Sequence, residues 1–425
     1  MKNIMLFLML IIISCHKYNP DTVDPPDPPK QKDTLQVVWY SYVRDNSDTV
    51  SRFCLKPVFF NNFVITSSFN IPGPEKEQFH CFNKKTGERE WIWQDYFDRG
   101  FGSRINFRDH IRYIDPSGSF LLAEAYSFYN IDLNTGKTIN SLNFYPYIDA
   151  LQGGTLDVTY YKDGFLASYG FNDIPNTDSS ILYQIDKNNM DIREILKIKN
   201  SGEYYPFIQN TYLHVRPNND TFLIGSFGWL KIKHSEEKYD LFCYNLTKKE
   251  FVWKKDSFSK QLNNNLYLQD GKLYCVAYND FYSIEIETGD IIWKGGPSFT
   301  DEGFFLDPLT IAEGKIFAKT TLGHMFCVDQ NTGSVIWSNK KHEESGAASL
   351  GQNSKIEYYK GKIYFSDNTM RILDASNGSL LHKYNSPKSV PQYPENYIEG
   401  ITIDPESELM YFTDGYHLIC AKIPK

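Results

Sequence analysis

Short stretches of alternating apolar and polar residues run through the chain, and many of them end at a glycine-containing turn. A clear example is FCVDQNTGSVIW, in which one apolar run ends at Asp329 and a second ends at Trp337. Alternation with a period of two predicts β-strands, and the Asn-Thr-Gly sequence between the runs predicts a tight turn. The stretch therefore predicts two antiparallel strands joined by that turn.

The same phrase recurs along the chain as small-x-Asp-x-x-Thr-Gly-x-x-x-Trp. Copies of it, clear or degenerate, are centred on seven turn positions: Gly87, Gly136, Met190, Lys249, Gly289, Gly333 and Gly378. Successive centres lie 40 to 59 residues apart. This spacing is typical of a four-stranded propeller blade.

A second signature precedes each copy, in which a glycine turn leads into an alternating apolar strand, as in EGKIFAKTT and KGKIYFSDN. Another short apolar run comes before that turn, as in PLTIAEG. One unit therefore consists of a strand, a glycine turn, a strand, a variable loop, a strand, a Thr-Gly turn and a strand. A single meander of this kind has free edges and two faces to bury, so we expect the units to pack face to face in a closed ring.

The two ends of the repeat indicate how the ring closes. The eighth unit has three strands, the last near His417–Ile423, and no fourth strand. An orphan strand, LQVVWYSYV (Leu35–Val43), precedes the first full unit, and its Trp39 matches the Trp of the phrase. We therefore expect an all-β, eight-bladed propeller of four-stranded antiparallel blades over residues 35–425, closed when the N-terminal strand completes the last blade. Seven blades would leave that strand unexplained.

The residues of the phrase have structural roles in this interpretation. Glycine allows the positive φ of the turn, and the Trp offers a large flat surface to the neighbouring blade. The predicted blade-docking residues are Trp39, Trp91, Trp253, Trp293, Trp337, Gly87, Gly136, Gly289, Gly333 and Gly378.

Cysteine often fills the small first position of the phrase, at Cys81, Cys243, Cys327 and Cys420. Equivalent positions in different blades of a ring lie too far apart for a disulfide, so we expect these four side chains to be small buried hydrophobes. Whether Cys54 and Cys275 are paired is left open by the sequence.

The first 34 residues differ from the repeat in composition. Residues 1–14 combine Lys2 with an apolar run that is too short to span a bilayer, which is typical of a secretory signal peptide. Cys15 follows directly, as the lipidated cysteine does in bacterial lipoproteins; an ordinary signal peptide is the alternative. Residues 15–34 contain five prolines and few apolar side chains, which predicts an extended tether. We therefore expect an exported protein anchored through an acyl chain on Cys15.

Composition, charge and the absence of known motifs argue against several classes of function. The chain has 30 Tyr and 30 Phe, which is typical of a β-rich protein. Residues 1–14 hold one Lys and no acidic residue, so the remainder has 43 basic and 52 acidic side chains and a formal charge of −9. This balance argues against a nucleic-acid partner. Because HExxH, EF-hand, Walker and CxxC motifs are missing from the sequence, we expect no catalytic residue, no cofactor and no metal site.

The repeated phrase is similar to the tryptophan-docking motif of β-propellers of the pyrroloquinoline-quinone (PQQ) type, over residues 35–425. In one branch of that family, quinoprotein dehydrogenases hold the cofactor in an eight-bladed propeller. In another, the outer-membrane assembly lipoprotein BamB is a non-catalytic scaffold tethered by a lipidated cysteine. The resemblance favours the BamB branch, because the Cys-Cys pair and the long insertions with calcium ligands and a catalytic Asp of the dehydrogenases have no counterpart here.

This resemblance implies a protein-interaction scaffold at the periplasmic side of the outer membrane, with an envelope protein as its partner and with unknown contact residues. A ligand- or glycan-binding lipoprotein exposed at the cell surface is the alternative, and a PQQ-dependent dehydrogenase is a third hypothesis. The partner is expected to bind the variable loops on one face of the ring. These loops are Asn70–Gln78, Gln94–Arg104, Phe171–Ser180, Gly228–Lys238 and Tyr384–Tyr397. The charged stretch HSEEKYD (His234–Asp240), which overlaps the fourth of them, is expected to be a solvated loop.

Overall fold

A computed structural model of the chain contains two units, Met1–Lys32 and Asp33–Lys425. The structure describes residues 35–43, 51–53, 56–70, 78–95, 112–115, 117–124, 127–143, 155–169, 179–202, 204–231, 236–260, 262, 266–278, 280–297, 309–320, 324–339, 356–367, 369–384, 399–414 and 417–425. All of them belong to the second unit. The signal peptide, Cys15 and the tether therefore lie outside the described residues, and their predicted roles remain predictions.

The regular structure of the described residues is β-strand throughout, in eight antiparallel sheets that we number as blades one to eight. Blades one and two contain β2 (Ser51–Phe53), β3 (Val58–Phe60), β4 (Phe63–Asn70), β5 (Gln78–Asn83), β6 (Arg89–Trp93), β7 (Arg112–Asp115), β8 (Ser119–Glu124), β9 (Ser127–Asp132) and β10 (Thr138–Asn143). Blades three and four contain β11 (Thr155–Tyr161), β12 (Gly164–Tyr169), β13 (Ser179–Asp186), β14 (Ile192–Lys199), β15 (Tyr205–Val215), β16 (Thr221–Lys231), β17 (Glu236–Asn245) and β18 (Glu250–Ser259).

The remaining strands follow the same order along the chain. Blades five and six contain β19 (Tyr267–Gln269), β20 (Lys272–Ala277), β21 (Asp280–Glu285), β22 (Ile291–Gly295), β23 (Thr310–Ala312), β24 (Lys315–Lys319), β25 (Met325–Asp329) and β26 (Val335–Asn339). Blades seven and eight contain β27 (Glu357–Tyr359), β28 (Lys362–Asp367), β29 (Thr369–Asp374), β30 (Leu380–Tyr384), β31 (Glu399–Asp404), β32 (Leu409–Thr413), β33 (His417–Lys422) and, from the N-terminal end, β1 (Val37–Tyr42). The predicted eight-bladed propeller is confirmed.

Two kinds of turn build each blade. The turn between the first two strands is two residues long in blades five and six, where Asp270 and Gly271 have φ of 50° and 73° and Glu313 and Gly314 have φ of 49° and 70°. Two successive positive φ angles give the turn whose twist matches that of a β-hairpin. The turn between the third and fourth strands is held by its Asp: in blade six Asp329 Oδ1 accepts the backbone amides of Asn331 and Thr332 at 2.9 and 2.8 Å.

The N-terminal strand closes the ring as predicted. Strand β1 pairs antiparallel with β33, and Trp39 lies opposite Cys420. The same Trp–Cys pairing joins the third and fourth strands of blade one, where Cys81 lies opposite Trp91. Strand β1 therefore occupies the place of a fourth strand in register as well as in position. Blade one has one addition that the sequence did not predict, a fifth strand, β2, which pairs with the end of β4.

The core lies between the blades. The second and third strands are buried, while the fourth strands are largely exposed and form the outer rim. Aromatic side chains fill the interfaces; between blades one and two, for example, the rings of Phe79 and Phe120 lie 5.3 Å apart. Five cysteines are buried and free among the described residues: Cys81, Cys243, Cys275, Cys327 and Cys420. Cys54 lies outside that part of the chain.

Candidate functional site

The ten predicted docking residues come together as Trp–Gly pairs across blade boundaries. A Cβ atom placed on Gly87 of blade one would lie 2.6 Å from Trp39 Cδ2 of blade eight, so only glycine fits beneath the indole. Each indole Nε1 also donates to the carbonyl three residues before the glycine, at 2.7–3.2 Å. The pairs are Trp39–Gly87, Trp91–Gly136, Trp253–Gly289, Trp293–Gly333 and Trp337–Gly378.

Blade two departs from this pattern in a way that the sequence analysis missed. Asn140 stands at the position that Trp occupies in blades one, four, five, six and eight. Its amide donates to Lys187 O at 3.4 Å, the carbonyl that an indole would reach, and to Asn188 O at 2.7 Å. Asn130, opposite Asn140 across the strands, donates to the same Lys187 carbonyl at 3.1 Å. An Asn–Asn pair therefore replaces the Cys–Trp pair and keeps the hydrogen bond. The signal in the sequence is that the Cys position and the Trp position of the phrase both change to Asn in this blade.

Two buried ion pairs cross blade boundaries at equivalent places, and these were also missed. Asp404 of blade eight lies 2.7 Å from Lys84 Nζ of blade one, and Asp115 of blade two pairs with Lys187 of blade three. In both pairs the Lys lies three residues before a turn centre and the Asp follows an Ile and precedes a Pro. That repeated Ile-Asp-Pro is the signal that could have revealed them.

The Asp404 carboxylate is stabilised as an anion. Burial by itself raises the pKa of Asp404, but hydrogen bonds from Lys84 and Ser407, with the Lys84 charge, outweigh it, so the net shift of the pKa is downward. The pKa of Asp115 is lowered in the same way, by Lys187 and Ser117 against its burial. Both ion pairs therefore stabilise the fold when their carboxylates are ionised.

The loop-bearing end of blade four differs most from the repeat. Its strands are 10 or 11 residues long, against 3 to 6 in blade five. Strands β16 and β17 pair as far as Lys231 and Glu236. The prediction that Gly228–Lys238 is a loop insertion is therefore wrong for most of its length, and so is the solvated-loop prediction for 236–240. Blade four extends into a longer sheet.

Aromatic and cationic side chains gather at this extended end. Lys238 Nζ lies 4.4 Å from the centre of the Tyr204 ring and 5.6 Å from that of Trp229, and Lys231 Nζ lies 5.7 Å from Tyr204. Lys254 Nζ lies 5.8 Å from the Trp229 ring. We call these five residues the blade-four platform. Ammonium groups over aromatic faces are attracted by the ring quadrupole, which orders both partners.

A buried carboxylate holds the platform in place. Asp240 accepts the Trp229 indole N–H at 2.7 Å and the Ser257 backbone N–H at 2.6 Å, and its Oδ2 lies 3.1 Å from Lys254 Nζ. Burial lowers the pKa of Lys254, but its hydrogen bonds to Asp256 and Asp240 outweigh this, and the net shift is upward. Lys254 therefore stays charged at neutral pH. The platform holds its lysine ammonium groups over Tyr204 and over a Trp229 ring that is itself buried in the core.

The chemistry of the remaining groups is limited in the part of the chain that the structure describes. No three His, Cys, Asp or Glu side chains there are grouped so as to hold a metal ion. Burial raises the pKa of the Cys243, Cys327 and Cys420 thiols to about 12, so these thiols stay protonated and unreactive.

The other predicted loops lie wholly or largely outside the described residues. Of the predicted loops Asn70–Gln78, Gln94–Arg104, Phe171–Ser180 and Tyr384–Tyr397, residues 71–77, 96–104, 171–178 and 385–397 are outside that part of the chain. Their expected role in binding therefore remains a prediction. Among the described residues no helix is long and apolar enough to cross a membrane.

The Trp–Gly contact can be isolated with two alanine substitutions in one blade. Gly333 and Gly314 have nearly the same positive φ, 73° and 70°, but a Cβ on Gly333 would lie 2.5 Å from Trp293 whereas one on Gly314 meets nothing within 4 Å. Gly333→Ala should lower the free energy of unfolding by about 2 kcal/mol more than Gly314→Ala, because the indole must move. Urea unfolding of both variants measures the difference. Equal losses would show that the contact carries no energy.

The Asp404–Lys84 pair predicts a pH-dependent loss of stability. Asp404→Asn leaves Lys84 without its partner and should cost about 3 kcal/mol at pH 7. Because the folded-state pKa of Asp404 is lowered, this stabilisation is complete above about pH 5 and is lost as the pH falls through the folded-state pKa. The free energies of unfolding of wild type and variant, measured from pH 7 down to pH 3, should therefore converge as the pH falls. The exposed Asp280–Lys294 pair gives the control Asp280→Asn, for which we expect little change; a constant cost at all pH values would contradict the prediction.

Several kinds of known protein are similar to this chain. Residues 238–392 match the family model described as outer membrane protein assembly factor BamB. Among solved structures, BamB from Moraxella catarrhalis aligns with a TM-score of 0.54 and 12% identity over 91% of this chain and 100% of that one. A europium-containing methanol dehydrogenase aligns with a TM-score of 0.61 and 10% identity over 89% of this chain and 84% of that one.

The quinohemoprotein alcohol dehydrogenase from Comamonas testosteroni has a TM-score of 0.60 and 9% identity over 92% of this chain and 78% of that one. No curated protein sequence matches the chain. At these identities the structural likeness establishes the fold, which enzymes and BamB share. The resemblance to PQQ-type β-propellers, with the BamB family model matching residues 238–392, is confirmed.

Proposed function

We propose that the protein is a non-catalytic, lipid-anchored scaffold that binds an envelope protein at the periplasmic side of the outer membrane. The blade-four platform is the observation that carries the proposal. It is a cationic surface, packed over Tyr204 and the buried Trp229, on a blade that outgrows the repeat. Tyr is one of the side chains enriched among the residues that dominate the energy of protein interfaces, and charges such as these steer the approach of a partner. The BamB family match, which begins at residue 238 in the same blade, supports the same function.

The arrangement of the repeat supports a scaffold for a second reason. The Trp, Gly and Cys residues that recur in several blades are used for packing between blades. Partner recognition is therefore assigned to residues that interrupt the repeat. The platform is formed by residues from all four strands or strand ends of blade four, so its geometry is fixed before a partner arrives.

Affinity purification tests the scaffold. The native lipoprotein, purified from membranes in mild detergent, should recover a specific envelope partner. Lys238→Glu should reduce that recovery at least about tenfold, because it reverses one charge of the platform without removing a core side chain. Lys162→Glu is the matched control: Lys162 lies over the Tyr161 ring at 5.0 Å, in a first-to-second-strand turn at the other end of a blade. Equal recovery by both variants, or none from wild type, would reject the platform as the partner site.

The shared fold keeps the dehydrogenase as a second candidate. Isothermal titration of the purified protein with PQQ and calcium should show no binding, and dye-linked oxidation of primary alcohols should stay at the level of a blank. Saturable PQQ binding with turnover would overturn the non-catalytic assignment.

Protease treatment of intact cells tests the leaflet, since a periplasmic propeller stays uncut while a surface-exposed lipoprotein is digested.

A further inference from the structure

Strand β1 presents two tyrosines on the outer rim of blade eight. Tyr40 is 42% exposed and Tyr42 is 56% exposed, and the preceding Val38 is 47% exposed. The six residues of β1, VVWYSY, include no charged side chain. The rim of blade eight is therefore apolar and aromatic along a whole strand.

The tyrosines depart from the repeat at their two positions. The residue directly after the Trp position is Lys or Ser in five of the other seven blades: Ser141, Lys254, Lys294, Ser338 and Lys383. The residue three after the Trp position is polar or glycine in all seven: Gln94, Asn143, Lys197, Asp256, Gly296, Lys340 and Asn385. In most other blades these two rim positions hold a polar residue or glycine. In blade eight both hold tyrosine.

The aromatic pair is held rigidly from behind. The His417 ring lies 5.4 Å from that of Tyr40 and 4.5 Å from that of Tyr42. Asp414 fixes the imidazole through its Nδ1, at 3.1 and 3.2 Å from the two carboxylate oxygens. The rings are therefore set in place against a buried pair, with their outer faces towards solvent.

The position of β1 in the chain indicates what this rim meets. Strand β1 is the first element after the predicted tether, residues 15–34, which starts at Cys15. Twenty residues of extended proline-rich chain reach at most about 60 Å. With the anchor that the proposed function assigns to Cys15, the membrane is the surface that blade eight meets at the highest effective concentration. The inference rests on that proposed anchor.

We infer that the rim of blade eight, through Val38, Tyr40 and Tyr42, contacts the lipid surface and sets the orientation of the anchored propeller. Tyrosine suits the boundary between headgroups and acyl chains, because its ring is apolar and its hydroxyl reaches water. An uncharged strand avoids the cost of moving charges into that layer. The anchor then holds the protein at the membrane, and the rim decides which side of the ring faces it.

Brominated-lipid quenching tests this contact. The native lipoprotein is made as Tyr42→Trp and as Asp256→Trp, which places the same reporter at the equivalent rim position four blades away. Both are reconstituted in phosphatidylethanolamine–phosphatidylglycerol vesicles with and without lipids brominated near the headgroup, and the wild-type signal is subtracted. We expect Tyr42→Trp to lose about threefold more emission than Asp256→Trp. Circular dichroism checks that both variants fold.

The outcomes separate this inference from the proposed function. Mass spectrometry of the N-terminal peptide first shows whether Cys15 is acylated; an unmodified Cys15 rejects the anchor and the inference together. If Cys15 is acylated and the two reporters are quenched equally, the rim inference alone is wrong and the scaffold stands. A rim that docks a protein instead of lipid would give that equal result. Adding Tyr40→Ser to the Tyr42→Trp variant should reduce the quenching of the introduced indole's emission by brominated lipid. Unchanged quenching in that double variant also counts against the inference.

Discussion

The seating of an indole on a glycine turn is the contact on which the ring depends. A blade cannot bury both of its faces alone, so each interface must be specified by something more than apolar area. The indole supplies a flat surface and one donor, and the turn of the next blade supplies a bare backbone and an unpaired carbonyl. The two halves fit only if the turn residue lacks a side chain above the ring, as at Gly87 and Gly333. The same glycine is therefore required both by the turn and by the contact with the indole.

Closure places a heavier demand on one interface than on the others. Blade eight combines β1 from the N-terminal end of the chain with β31–β33 from the C-terminal end, so only noncovalent contacts join β31–β33 to β1 and to blade one. Besides the Trp39 dock, Tyr411 Oη donates to Lys84 O at 3.1 Å, and Thr402 Oγ1 donates to Pro57 O at 2.6 Å. The Asp404–Lys84 ion pair lies at the same boundary. Polar contacts with exact partners favour one register of β1 over slipped ones, which apolar packing alone would tolerate.

The sequence predicted the parts of the fold that are set by local rules. Alternation located the strands, the Asn-Thr-Gly turns located the hairpins, and the orphan Trp39 identified the closing strand. Prediction failed where the determinant was a partner distant in sequence. Asn140 and Lys187 are 47 residues apart, and nothing local to either marks the contact. Blade four failed for another reason: an insertion between two strands has the same length whether it forms a loop or lengthens both strands, and the charges of HSEEKYD suited either.

The division between repeated and unrepeated residues separates packing from function in this fold. A side chain that occupies the same interface in several blades is already committed to its neighbour, and Trp91, with its indole donating to a backbone carbonyl, illustrates this. Recognition is left to positions where a blade breaks the pattern at the surface. Two such places are the blade-four platform and the tyrosine rim of blade eight, which lie four blades apart in a ring of eight. A propeller that meets lipid at one of them presents the other away from the membrane, and this is the geometry that a tethered scaffold needs to hold a partner in the adjoining space.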